Sequence, residues 1–205
     1  MVAEKLDLSK IDGEYYKVGK KPEVRQLSPY NYLTIEGQSS PADKLFLNAI
    51  ETLYAVAYSI KFITKAEDDD FVVPKMEGFW WIAGGAEAQE EFENTPQDQW
   101  FWKITIRMPD FVSQDHYNRA VETVKFKKAP ANLDQLRFEE INEGKCVQVL
   151  HLGSYNEEKP TIEKLFQFIA SEGLEIAGYH HEIYLSDPRR TPEEKLKTII
   201  RYAVK

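Results

Sequence analysis

The sequence predicts an α+β fold in which one strand-helix-strand-strand unit occurs twice. Three observations carry this reading. The order strand, Gly turn, amphipathic helix, strand, strand can be traced before residue 110 and again after residue 133. Tyr32-Leu33-Thr34-Ile35-Glu36-Gly37 overlays Val147-Gln148-Val149-Leu150-His151-Leu152-Gly153, one residue apart in length. Pro74 to Trp81 falls near Gly178 to Leu185 in the same overlay. By pattern this is a duplicated unit, two sheets with helices packed on one side, and the seam between the units is a natural place for a ligand cleft. The expected division is a polar N-terminal arm over 1–25 and a single domain over 26–205. Within it, module one spans about 26–110, a linker helix about 113–128 and module two about 133–205.

Each element has a local reason. Residues 1–25 are polar and mixed in charge, and Lys17 to Lys21 with Pro22 reads as a lead-in outside the core. Tyr30 to Gly37 has strand composition and ends at Gly37. Ser39-Ser40-Pro41 supplies a cap and a first-turn proline for a helix with an apolar stripe of Leu45, Phe46, Ala49, Ile50, Leu53, Val56, Ala57 and Ile60. Glu67 to Asp70 reads as a solvated acidic turn, and Met76 to Ile82 as a strand closed by Gly84-Gly85. Ala86 to Gln99 is loop-like, and Trp100 to Arg107 is a strand stopped by Pro109. Ser113 to Lys128 is a capped helix whose basic end, with Lys125, Lys127 and Lys128, suits a helix C-terminus. In the second half, Leu136 to Ile141 and Cys146 to Leu152 are extended. Pro160-Thr161 opens a helix with Ile162, Leu165, Phe166 and Ile169 inward, closed by Gly173. Ile176 to Leu185 and Thr198 to Val204 are the last strands.

Bulk properties narrow the function classes. The chain has 205 residues and a net charge of −8 at pH 7, which argues against a nucleic-acid surface and suits a neutral or cationic small molecule, although a solvated acidic surface explains the same number. No run of about 18 apolar residues is present, so no membrane span is expected. The start, Met1-Val2-Ala3-Glu4-Lys5, has no secretory pattern, and Cys146 is the only cysteine, so a reducing cytoplasm is the default location.

The most informative stretch is Gly178-Tyr179-His180-His181-Glu182-Ile183-Tyr184-Leu185-Ser186-Asp187-Pro188. In a strand, His180, Glu182 and Tyr184 share one face, and Tyr179, His181, Ile183 and Leu185 the other. A carboxylate there is either solvated or, if buried, present for a cation, a proton or a water molecule. His180 and His181 point to opposite faces and cannot chelate one ion together, and with His116, His151 and Cys146 isolated, no spacing supports zinc. No metal and no cofactor are expected. Cys146 opens an apolar strand and reads as a small buried hydrophobe, and Gly84-Gly85 as a turn without a phosphate cradle.

Gly153-Ser154-Tyr155-Asn156-Glu157-Glu158, Gly173-Leu174-Glu175-Ile176-Ala177-Gly178, and the run from Glu182 to Thr198 resemble the GyrI-like small-molecule-binding proteins, a domain also found as the effector-binding half of multidrug-sensing transcription regulators. Met76 to Trp81, Trp100 to Asp110 and Asn31 to Gly37 resemble the stand-alone branch, so the resemblance spans roughly 20–205. It implies two tandem modules about a pseudo-twofold axis with an aromatic-lined pocket between them, and it places the buried pocket carboxylate at Glu182 beside Tyr184. Some stand-alone members act as cyclopropanoid cyclopropyl hydrolases, which open the reactive ring of DNA-alkylating natural products.

For such chemistry the resemblance implies Glu182 as base toward water, with Tyr155, Tyr179 and Tyr184 as donors or walls. Phe79, Trp81, Trp100 and Trp102 are candidate walls, and Glu77, at the position taken as pseudo-symmetric, is a second candidate carboxylate. Each has a plainer reading: a strand Glu on a solvent face, a core Trp, a Tyr packed under a turn. Three functions follow as expectations: hydrolysis of cyclopropanoid or similar electrophilic aromatic compounds, sequestration of lipophilic and often cationic aromatic ligands, and a gyrase-modulating protein interaction.

Overall fold

A computed structural model describes residues 5–127 and 130–205, without the side chain of Glu93. Lys128, expected at the end of the linker helix, and the first four residues of the expected arm lie outside the described residues. The strands are β1 (Glu23–Gln26), β2 (Tyr30–Gln38), β3 (Glu77–Trp81), β4 (Phe101–Arg107), β5 (Arg137–Ile141), β6 (Lys145–Leu152), β7 (His180–Tyr184) and β8 (Lys197–Ala203). The helices are α1 (Leu8–Ile11), α2 (Gly13–Tyr16), α3 (Lys44–Ala66), α4 (Gln114–Lys127) and α5 (Lys159–Ser171). The strands form a single antiparallel sheet in the order β1-β6-β8-β7-β3-β4-β2-β5, where two sheets were expected. The duplicated units, β2-α3-β3-β4 and β6-α5-β7-β8, meet at the β3–β7 pair, so the seam is itself hydrogen-bonded.

Helices α3 and α5, the helices of the two repeated units, cover one face. Phe46, Ala49, Leu53, Val56, Ala57 and Ile60 of α3 pack on Leu33, Ile35, Trp80, Trp102, Ile104 and Ile106. Ile162, Leu165 and Ile169 of α5 pack on Val147, Val149, Ile200 and Tyr202. Burying each large apolar side chain contributes about 1.5–3 kcal/mol, so these stripes fix where the helices sit. Leu45, assigned to the α3 stripe, is instead exposed. The cap of α3 is also not a serine: the Asp43 carboxylate accepts from the Leu45 N–H at 2.7 Å. Gly37 does not end β2. The strand runs through it, paired with Trp102, and glycine is needed there because a Cβ would stand 2.4 Å from the nearest Trp102 ring carbon. The turn closing α5 falls at Gly173, whose φ of 66° is left-handed, as expected.

The opposite face is covered by the N-terminal segment, which is no outlying arm. α1 and α2 bury Leu8, Tyr15 and Tyr16 against Tyr32, Cys146, Ile183 and Ile199, and β1 joins the sheet edge beside β6. Tyr15 donates to Glu77 Oε2 at 2.5 Å, and its carbonyl accepts from Arg201 at 3.0 Å. Asp12 caps α2 and pairs with Arg107 at 2.7 Å. Average polarity hides this role, because a few inward side chains do the anchoring.

Two stretches read as loops are also structured. Asp70, in the acidic turn, is half-buried, with its largely covered carboxylate ion-paired with Lys61. Gly85–Asn94 winds into 3₁₀ turns that bring Phe92 onto Trp100 and Gln89 onto the backbone N–H of His180.

Candidate functional site

Glu182 sits mid-strand in β7 on the helix-covered face, paired with Gly78 of β3 on one side and Ile200 of β8 on the other. It therefore lies between the territories of α3 and α5. Its side chain is 12% exposed, while its neighbour His180, two residues earlier on the same face, is 1% exposed. His180 Nε2 lies 3.1 Å from Glu182 Oε1 and 3.6 Å from Glu158 Oε2, and Nδ1 lies 2.8 Å from the Tyr202 hydroxyl. Glu158 arrives from the start of α5. Burial disfavours the imidazolium, but Tyr202, Glu158 and Glu182 outweigh it and raise His180 well above the ordinary imidazole value. At neutral pH the ring is charged and both nitrogens donate, one of them fixing the Glu182 carboxylate.

The phenols complete the site. Tyr184 Oη accepts from the Trp80 indole N–H at 3.2 Å. Gly78 allows this, since a Cβ there would stand 2.8 Å from Trp80 Nε1 and 3.0 Å from Tyr184 Oη. Tyr155, in the turn after β6, meets Tyr184 edge-on at 5.6 Å and is 37% exposed. Burial, with the charges of Glu182 and Glu158, pushes its hydroxyl up to about 12, so it stays protonated and serves as a donor. Glu182, Tyr155 and Tyr184, three of the residues read from sequence, are thus brought together.

The other expected site residues lie elsewhere. Glu77 is fully buried on the opposite face, paired in register with Ile183, and cannot share a cavity with Glu182. Taking Glu77 as the position equivalent to Glu182 was off by one residue, since the overlay of Pro74–Trp81 on Gly178–Leu185 sets Gly78 on Glu182, and a one-residue slip reverses the face. Glu77 belongs instead to a network in which it meets His181 at 3.0 Å, His181 meets Glu143 at 2.9 Å, and Arg201 donates to Glu143 at 2.9 Å. Phe79 stacks on His181, and Trp81 lies between Phe101 and Tyr179, all on that same far face. Trp102 is a core residue, fully buried against Phe46 with its N–H on Ser39. Trp100 is on the helix-covered side, but it stands behind Trp80 and Phe92.

Sequence reasoning missed Glu158, His180 and Trp80 as site members. The alternation in β7 already put His180 beside Glu182, so that signal was available. Glu158 carried none, being 24 residues from Glu182 in the sequence. Two surface cavities, of about 350 and 330 Å³, are lined by neither Glu182, His180 nor Tyr155. Among the described residues no helix is long and apolar enough to cross a membrane.

A family model described as the GyrI-like small molecule binding domain matches residues 20–205. An uncharacterized conserved protein from Listeria innocua is 36% identical, with a TM-score of 0.90 over 98% of this chain and 100% of that one. A protein described as a hydrolase from the same organism is 34% identical, with a TM-score of 0.85 over 98% and 100% of the two chains. The EcmrR C-terminal domain shares the fold, with a TM-score of 0.57 at 12% identity over 90% of this chain and 97% of that one. A comparison with curated proteins gave no match.

Proposed function

We propose, for a chain that belongs to the GyrI-like small-molecule-binding family, that it adds water to electrophilic aromatic compounds of the cyclopropanoid type, a detoxifying activity. The observation that carries this is the partly exposed Glu182 carboxylate, held by buried His180, beside the protonated Tyr155 hydroxyl. The likeness to a Listeria innocua protein described as a hydrolase supports hydrolysis as the reaction class.

The step balances as follows. Glu182 accepts a proton from water as its oxygen bonds to the unsubstituted cyclopropane carbon. The ring C–C bond breaks, and its electron pair flows through the dienone to the carbonyl oxygen. Tyr155 donates a hydrogen bond to that oxygen as phenolate character develops. The proton on Glu182 then passes to the phenolate, so the net change is addition of one water. His180 holds the carboxylate in one orientation, which lowers the reorganisation needed at the moment of attack.

The test is to incubate substoichiometric protein with a cyclopropanoid and follow ring-opened product by mass spectrometry. Many turnovers are expected. Glu182→Gln is expected to cost roughly 10²–10⁴-fold in rate, the usual worth of general-base help. Tight binding without product would sink the enzyme reading. A second reading would then stand: capture of lipophilic cations by the negative balance of two carboxylates around one imidazolium. In that case Glu182→Gln would weaken cations selectively.

A further inference from the structure

We infer that Glu158, His180 and Glu182 form a binding site for a divalent transition-metal ion, with zinc the fitting probe. The three residues come from two elements, the start of α5 and the middle of β7, and each turns one donor atom inward, all within 4.8 Å of one another. Two ligands bound to one zinc at about 2.0–2.2 Å stand roughly 3–3.5 Å apart. The imidazole Nε2 lies 3.1 Å from one carboxylate oxygen and 3.6 Å from the other, which matches that spacing. Closing the remaining gap between the two oxygens takes a rotation of the Glu182 carboxylate, the more exposed of the pair.

The support around the histidine points the same way and is independent of the acids. Tyr202, from β8, holds Nδ1 at 2.8 Å, and Phe92 stacks on the ring at 5.6 Å. These contacts lock the imidazole with Nε2 aimed at both carboxylates. A ligating histidine is commonly held this way through its other nitrogen. One imidazole and two carboxylates suit zinc, iron or manganese better than a soft ion. Glu182 also gives the site its opening, which leaves further coordination positions to water.

The ion takes the position that a proton on Nε2 otherwise occupies, and it engages Glu182. This consequence rests on the hydrolytic reading above: bound zinc withdraws the base and inhibits turnover. The binding claim does not depend on that reading, and its test uses no substrate.

The experiment is calorimetric titration of the chelator-treated full chain with zinc, alongside thermal melts with and without the ion. One saturable ion per chain at roughly micromolar affinity or tighter, with a raised melting temperature, is expected. Glu158→Gln and Glu182→Gln, near-isosteric changes whose folding is checked by circular dichroism, should each weaken binding at least about tenfold. His116→Asn removes a surface histidine that lies 2.8 Å from Glu67, and it should leave the affinity unchanged. No saturable zinc binding by the wild type would overturn the inference. So would binding that survives both glutamine changes, or that is lost in His116→Asn. A protein that binds zinc but turns over no cyclopropanoid would keep the site and lose the hydrolase.

Discussion

Gly78→Ala tests whether the β3–β7 seam is packed as tightly as described. The added methyl would stand 2.8 Å from Trp80 Nε1, 3.0 Å from Tyr184 Oη and 3.2 Å from Trp80 Cε2, where ordinary contacts are 3.4–4 Å. Trp80 cannot withdraw, because it is 4% exposed and wedged against Phe46 and Trp100. Overpacking of this kind costs about 1–3 kcal/mol. Losing the 3.2 Å bond from Trp80 to Tyr184 adds about 1 kcal/mol. Replacing a strand glycine by alanine returns about 0.5–1 kcal/mol. The net is a loss of about 1–3 kcal/mol, or roughly 2–4 °C in Tm for each kcal/mol in a chain of this size. Thermal melts followed by tryptophan emission would read both the stability and the disturbed indole. A variant that melts with the wild type and shows unchanged emission would refute the packing argument.

Two further outcomes are expected. Tyr15→Phe removes the 2.5 Å bond to the buried Glu77 carboxylate and should cost about 1.5–3 kcal/mol in urea unfolding, whereas a change within about 0.5 kcal/mol would mean the N-terminal segment is not anchored there. Desolvation of the largely covered Glu143 side chain raises its pKa, but His181 and Arg201 override this and hold it at about 2, below its ordinary 4.5. Its stabilisation is therefore complete above about 4.5 and drains away as pH falls toward about 2, a loss of about 3 kcal/mol that should flatten in Glu143→Gln when unfolding is measured against pH.

What could be read from the sequence was whatever depends on local period. The stripe from Phe46 to Ile60 and the inward Ile162, Leu165 and Ile169 name the buried sides of α3 and α5, because burial repeats every 3.6 residues. Alternation in β7 put His180, Glu182 and Tyr184 on one face. Facing across strands was not legible, because register is a tertiary fact. Gly78, not Glu77, opposes Glu182, and that difference sends Glu77, Phe79 and Trp81 to the far side of the sheet. Glu158 and Tyr15 were invisible for a related reason. Each is a single side chain in a polar stretch, and its worth lies in a partner far along the chain.

The strand order has a mechanical consequence. β1 precedes β2 in the chain but bonds to β6, and β5 precedes β6 but bonds to β2. The halves have thus traded their leading strands, and the central β3–β7 ladder stitches them a third time. A jaw-like opening at the seam would have to tear the β3–β7 ladder, while the short links 27–29 and 142–144 tie each traded strand back to the other half. Outside the ladders, Glu182 is bordered by exposed Tyr155, and the Gly85–Asn94 turns hold the backbone N–H of His180 through Gln89. Side chains and loops move on picosecond to microsecond timescales, faster than the collective motions of whole domains. On the proposed function, ligand exchange at Glu182 would then fall to side chains and turns and not to the paired strands.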